Sequence, residues 1–195
     1  QRQVADLQER LSLMQAFCNA GVFERDPATM QGWWDDQMYR IFGLPVPPPG
    51  TPTPPYEEVA KLYVQDDRKL GGFRRTLDRA GPHVDRVRLR RPDGEIRYLH
   101  SQWKVMHDAQ GRAVRVIGVN RDDTEVYQLA HEAKALRENE LTRGTPIMAV
   151  TCLSKEQDIE RIFSCGADEY LPKPFKVDQM LDKVRELLGR GRIVE

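Results

Sequence analysis

VDRVRLRRPDGEIRYLHSQWKVMHDAQGRAVRVIGVN, residues 84–120, is the stretch that decides the fold. Three extended segments alternate apolar with polar residues: Val84–Arg90, Ile96–His107 and Ala113–Asn120. Pro92-Asp93-Gly94 joins the first pair and Asp108-Ala109-Gln110-Gly111 the second. Glycine supplies the backbone conformation that a tight reversal needs. Asp-Gly and Gln-Gly connections between alternating strands therefore predict an antiparallel meander with one face buried.

Upstream the pattern becomes helical. Tyr56–Tyr63 predicts one helix, and Leu70, Phe73, Arg74 and Leu77 predict a second that stops at Ala80-Gly81-Pro82. Pro45–Pro55 holds seven prolines in eleven residues, which excludes regular helix and central strand because proline lacks the donor and fixes φ. It reads as a surface loop inside one domain. Before it, Gly21–Asp26 and Trp33-Trp34 suit short strands, and Asp35-Asp36 suits the cap of a short helix through Met38, Tyr39, Ile41 and Phe42. Val4, Leu7, Leu11, Met14 and Phe17 give residues 1–20 one apolar stripe, as in an amphipathic helix that lies on the next domain or pairs with a second copy.

Downstream, residues 123–140 form a charged helix with Val126, Leu129, Ala133 and Leu136 on a narrow apolar stripe. The class then switches. Ile147–Val150 is a buried strand, Lys155–Cys165 an amphipathic helix, Glu169–Leu171 a short strand and Val177–Leu188 a helix. Strand alternating with helix implies a parallel α/β unit.

Composition bounds the rest. The chain has 195 residues, 31% charged and 39% hydrophobic, with a formal net charge of zero. No overall basic field points to nucleic acid, and no apolar run nears the roughly 20 residues that span a bilayer. The start, Gln1–Glu9, is polar and unlike a signal peptide, so a cytoplasmic protein is expected. Cys18, Cys152 and Cys165 are odd in number and too scattered for a zinc site, and read as buried reduced thiols.

Residues 14–125 resemble a PAS domain of the kind common in bacterial sensor kinases. The resemblance rests on element order and on local text. Trp34-Asp35-Asp36-Gln37-Met38-Tyr39-Arg40-Ile41-Phe42-Gly43-Leu44 is similar to that family's early helix, and Arg90–Tyr98 to its Asp-Gly hairpin. Gly118-Val119-Asn120-Arg121-Asp122-Asp123-Thr124-Glu125 is similar to its closing Asp-Ile-Thr signature, with Asp123 in the usual apolar place. Such domains bind a small molecule between sheet and helices, or bind nothing and dimerise. Met38, Phe42, Phe73, Leu77, Leu89, Leu99, Trp103 and Ile117 are the pocket candidates, and the same set serves equally as plain core. No Asn-Cys-Arg motif is present, which argues against flavin photochemistry. Haem or a small organic ligand stays open, with His83, His100 and His107 as surface or hydrogen-bonded histidines on the simpler reading.

Residues 145–188 resemble the second half of a response-regulator receiver. Thr145–Thr151 matches the strand whose final Thr binds a phosphoryl oxygen, and Gly166–Phe175 the next strand with its Lys-Pro ending. The resemblance implies switch roles for Thr151, Tyr170, Lys173 and Pro174, with the Lys173-Pro174 peptide cis. A receiver also needs an acidic pair for Mg²⁺ and a phosphoryl-accepting Asp, and these precede the matched half. Asp122 and Asp123 are adjacent acids, but they close the PAS match. His131-Glu132 lacks the continuation of a histidine-kinase phosphorylation box and reads as a solvated helix position.

The expected fold is thus an α+β PAS fold, an antiparallel sheet with flanking helices, followed by a partial α/β flavodoxin-like receiver unit. The expected boundaries are 1–20 for the first helix, 21–125 for the PAS domain, 126–144 for a connecting helix and linker, and 145–195 for the half-receiver. The expected function is a non-catalytic sensory module of a two-component system. It would dimerise through its first and connecting helices or its half-receiver, with a histidine kinase or receiver as partner. The alternatives are a phosphorelay receiver component completed by another chain or copy, and a haem- or metabolite-binding sensor.

Overall fold

The structure, a computed structural model, describes residues 19–65, 73–79, 81–152 and 156–189, with only the backbone of 73 and 74. The first helix expected over 1–20 lies outside the described residues, apart from a turn at Asn19 and Ala20 entering a strand. The chain divides into two compact units, with the boundary between Asp123 and Thr124.

The first unit is built on five antiparallel strands. These are β1 (Ala20–Arg25), β2 (Gly32–Trp34), β3 (Pro82–Arg90), β4 (Ile96–His107) and β5 (Ala113–Asp122), in the order β2-β1-β5-β4-β3. The meander read from residues 84–120 is β3-β4-β5. Its first turn closes with Gly94 at φ +90° and with Asp93 Oδ1 accepting the Glu95 N–H at 2.9 Å. In the second, Asp108 Oδ1 takes the N–H groups of Gln110 and Arg112, and these backbone hydrogen bonds hold its carboxyl below the usual range.

Helix α1 (Asp36–Phe42) and helix α2 (Tyr56–Leu62) flank the sheet, and Phe73–Thr76 forms one 3₁₀ turn. That turn is what the described residues show of the second helix expected through Leu77. Asp35 caps α1 by accepting from Met38 N at 2.8 Å, while its other oxygen accepts from Val22 N of β1 at 2.9 Å. One carboxylate thus starts the helix and ties it to the sheet. Gly21 makes the approach close enough, since a Cβ there would sit 2.6 Å from Met38 N. At the other end Gly43, at φ +68°, stops the helix.

Burial raises the Asp35 carboxyl above its ordinary value, against the backbone hydrogen bonds that favour its ionised form. A folded-state pKa above the unfolded one means the native state binds the proton more tightly. The Asp35 contribution to stability then falls as pH rises through that window. Asp35→Asn removes this titration. The stability of the wild type minus that of the variant should decline in urea titrations as pH rises through and above the ordinary carboxylate range. A difference that rises with pH would contradict the assignment.

Met38, Phe42, Leu89 and Leu99 are each at most 2% exposed and lie in one cluster with Trp34, Tyr39, Ile41, Val59 and Val87. Trp103 belongs to a second cluster with Val105 and Val116, against which Leu77 packs. Ile117 does not join either one. Val116, Gly118 and Asn120 face inward on β5, so strand alternation turns Ile117 to the opposite face. Apolar residues on both faces of Val114–Val119 concealed that phase. Phe73 contributes only its backbone to what is described.

The second unit begins with α3 (Thr124–Glu138). It continues through β6 (Met148–Thr151), α4 (Glu156–Ser164), β7 (Glu169–Pro172) and α5 (Val177–Gly189). β6 and β7 pair in parallel, Met148 opposite Glu169 and Thr151 opposite Pro172. Ala133 of α3 packs with Ala149, Ile162 and Ala167, joined by Leu129 and Ile147. The helix that the sequence places in a connecting segment is therefore part of this unit's core. Leu136 is 42% exposed, so the buried stripe runs through Val126, Ala130 and Ala133 instead. Arg137 fastens the helix to both strand approaches. Its guanidinium donates to Gly166 O at 2.8 Å, Thr145 O at 2.6 Å and Arg143 O at 3.0 Å, and pairs with Asp168. Cys165 is half-buried and Cys152 is exposed, which corrects the expectation that both are buried, while Cys18 lies outside the described residues.

Candidate functional site

The residues matched to a receiver switch meet at the ends of β6 and β7. Thr151 closes β6 and is fully buried. The backbone N–H of Lys173, just past β7, donates to Thr151 O at 2.8 Å, and the Lys173-Pro174 peptide is cis. The Lys173 side chain is exposed and takes part in no ion pair among the described residues. Tyr170 is half-buried, and burial, then the neighbouring Cys152, pushes its phenol up.

One contact here was invisible in the sequence. Thr151 Oγ1 donates to Glu125 Oε1 at 2.5 Å. A buried hydroxyl needs a partner, and a carboxylate gives a charge-assisted one. Glu125 lies in the first turn of α3, where an acid also meets the positive end of the helix dipole. It is 26 positions from Thr151, and the sequence offers only its place beside Thr124 in the closing PAS signature.

The neighbouring acids are engaged elsewhere. Asp122 Oδ2 accepts from Arg97 at 3.3 Å, and Asp123, which is buried, pairs with Arg121. Among the described residues no group of three or more His, Cys, Asp or Glu is placed to hold a metal ion. His131 and Glu132 are exposed on α3. His107 Nε2 lies 2.7 Å from Leu77 O, His83 Nε2 lies 3.2 Å from Arg79 O, and His100 faces Asp123 at 3.8 Å. None belongs to the cluster around Met38 and Phe42.

A family model described as PAS fold matches residues 32–120. That span is a PAS domain. A sensory box histidine kinase/response regulator from Burkholderia thailandensis E264 shares the fold at a TM-score of 0.51 and 21% identity, over 69% of this chain and 98% of that one. The C-terminal part is similar to response-regulator receiver sequences. It is 47% identical over 55 residues to the DNA-binding dual master transcriptional regulator RpaA of Synechocystis sp., covering 28% of this chain and 23% of that protein. Over 56 residues it is 42% identical to the regulatory protein VanRB of Enterococcus faecalis, covering 29% and 26%. The chain thus spans about a quarter of the length of these two relatives. The PAS domain is followed by receiver-like sequence. No helix among the described residues is long and apolar enough to cross a membrane.

Proposed function

We propose that the protein is a non-catalytic sensory module in which a PAS input domain is joined to a receiver remnant that no longer takes a phosphoryl group. The observation that carries this reading is the Glu125–Thr151 hydrogen bond. In receivers the Thr at this strand end binds a phosphoryl oxygen, whereas here its hydroxyl is already donated to a side-chain carboxylate. The fixed negative charge of Glu125 would also repel an incoming phosphoryl anion. Signal then passes as a change of packing or register in α3, which is separated from β5 of the PAS sheet by the single residue Asp123.

Association of two copies completes the reading. A two-stranded parallel sheet leaves open edges, and α5 exposes Val177, Met180, Leu181 and Leu188. Native mass spectrometry tests both parts at once, before and after incubation with acetyl phosphate and Mg²⁺. The expected species is a dimer whose mass the phosphodonor leaves unchanged. A stoichiometric phosphoryl adduct, abolished by substituting an Asp, would transfer support to the phosphorelay alternative. A monomer under all conditions would remove the dimer.

A further inference from the structure

Proline imposes a regular conformation on the segment that follows α1. Its ring fixes φ, and it confines the residue before it to the extended or polyproline II region. Leu44, Val46, Pro47 and Pro48 each precede a proline, and Pro45, Pro47, Pro48 and Pro49 are prolines themselves. Residues 44–49 therefore form a polyproline II segment of about two turns, at three residues per turn. Their exposure has the same period. Leu44 and Pro47 are half-buried, and Leu44 packs against the cluster that holds Met38 and Phe42. Pro45, Val46, Pro48 and Pro49 are exposed. One edge of the three thus lies on the domain, and two ridges, Pro45/Pro48 and Val46/Pro49, stand side by side in solvent.

A tight turn ends the segment. Gly50 is at φ +83°, and Thr51 gives Pro48 O both its N–H, at 3.2 Å, and its hydroxyl, at 2.7 Å. The chain returns through residues 51–55, where Thr53 and Pro54 are half-buried and the Thr53 hydroxyl donates to Gly32 O at 3.0 Å. This second arm anchors the loop and leaves only its Pro52/Pro55 ridge fully in solvent. The first arm is also free in its polar groups. Its prolines have no N–H, and among the described residues the carbonyls of residues 44–47 accept no hydrogen bond. No charged residue occurs in residues 44–55.

We propose that residues 44–49 are a recognition segment for a partner protein whose surface carries an aromatic-lined groove of the kind that reads polyproline II. The Pro45/Pro48 and Val46/Pro49 ridges lie between the aromatic rings of that groove, and tryptophan or tyrosine donors on the partner take the free carbonyls. Fixed φ angles leave little conformational entropy to lose on binding, which is what lets so short a segment bind at all. With no charge in the segment, affinity comes from apolar contact and neutral hydrogen bonds and is insensitive to salt. The segment belongs to the PAS domain alone. Its failure to bind would leave the receiver reading untouched, and a phosphoryl adduct would leave this proposal untouched.

The test titrates the full chain into three ¹⁵N-labelled probes, an SH3 domain, a WW domain and an EVH1 domain. At least one should saturate below about 1 mM, with shifts at its groove aromatic residues and the same affinity at about 50 mM and about 500 mM salt. A Pro45→Ala/Pro48→Ala variant should keep the wild-type melting transition and bind that probe about tenfold more weakly or worse. Pro52→Ala, on the anchoring arm, should stay within about twofold of the wild type. No saturation with any of the three probes would overturn the proposal. So would unchanged affinity in Pro45→Ala/Pro48→Ala, or a larger loss in Pro52→Ala. Conversion of a dimer to a monomer by Pro45→Ala/Pro48→Ala in native mass spectrometry would also overturn it, because the ridges would then face a second copy.

Discussion

Replacing Arg137 with alanine should destabilise the second unit by about 3–5 kcal/mol, as expected for breaking one side of a largely buried ion pair. The side chain is 14% exposed and its partner Asp168 is 19% exposed, so solvent cannot readily replace the lost charge. The carbonyls of Gly166, Thr145 and Arg143 lose their guanidinium donor at the same time. Asp168 keeps only part of its support, since Oδ2 still accepts from Ile147 N at 2.8 Å. Arg137→Lys should recover little, because a single ammonium cannot reach three carbonyls and a carboxylate as a planar fork does. Hydrogen exchange resolves the outcome. Amides of β6 and β7 should lose protection while those of β4 and β5 keep it. Retention of protection in β6 and β7 would show that the guanidinium is not what fastens α3 to its own unit.

The same residue shows where sequence reasoning stops. An arginine among the charges of residues 123–140 looks like one more solvated position, because its partners lie 6 to 31 positions away and are mostly backbone carbonyls. Carbonyl acceptors leave no trace in a sequence. Gly166 is different: at φ +108°, with Arg137 Cγ where a Cβ would be, it is a glycine the sequence does display. Its partner is what the sequence withholds. The meander was legible for the opposite reason, since each reversal spends local, recognisable residues such as Asp93-Gly94. The Thr151 and Lys173 strand ends were legible through their spacing, and the Glu125 contact was not. The pocket candidates were chosen for being apolar, and of them Met38, Phe42, Leu89 and Leu99 lie in one buried cluster.

That last point gives the second large effect. Phe42 is fully buried, 4.8 Å from the Trp34 ring and 6.2 Å from that of Tyr63 by centroid. Burial also pushes the Tyr63 phenol up, consistent with a water-poor surround. Phe42→Ala should cost about 3–5 kcal/mol, the transfer loss plus the cavity that rigid neighbours leave behind. Trp34, Leu89 and Ile41 are held by strand register or by the α1 cap and cannot collapse freely into the space. A vacated apolar cavity stays dry and accepts small apolar guests. Benzene should therefore raise the melting temperature of Phe42→Ala and leave that of the wild type unchanged. If the wild type were stabilised equally, this interior would be a ligand pocket in its native state, and the core reading of Met38, Phe42, Leu89 and Leu99 would fall. A loss well below 1 kcal/mol would mean that the site repacks, and that α1 is less firmly seated on β1 than the close packing at Gly21, which leaves no room for a Cβ, requires.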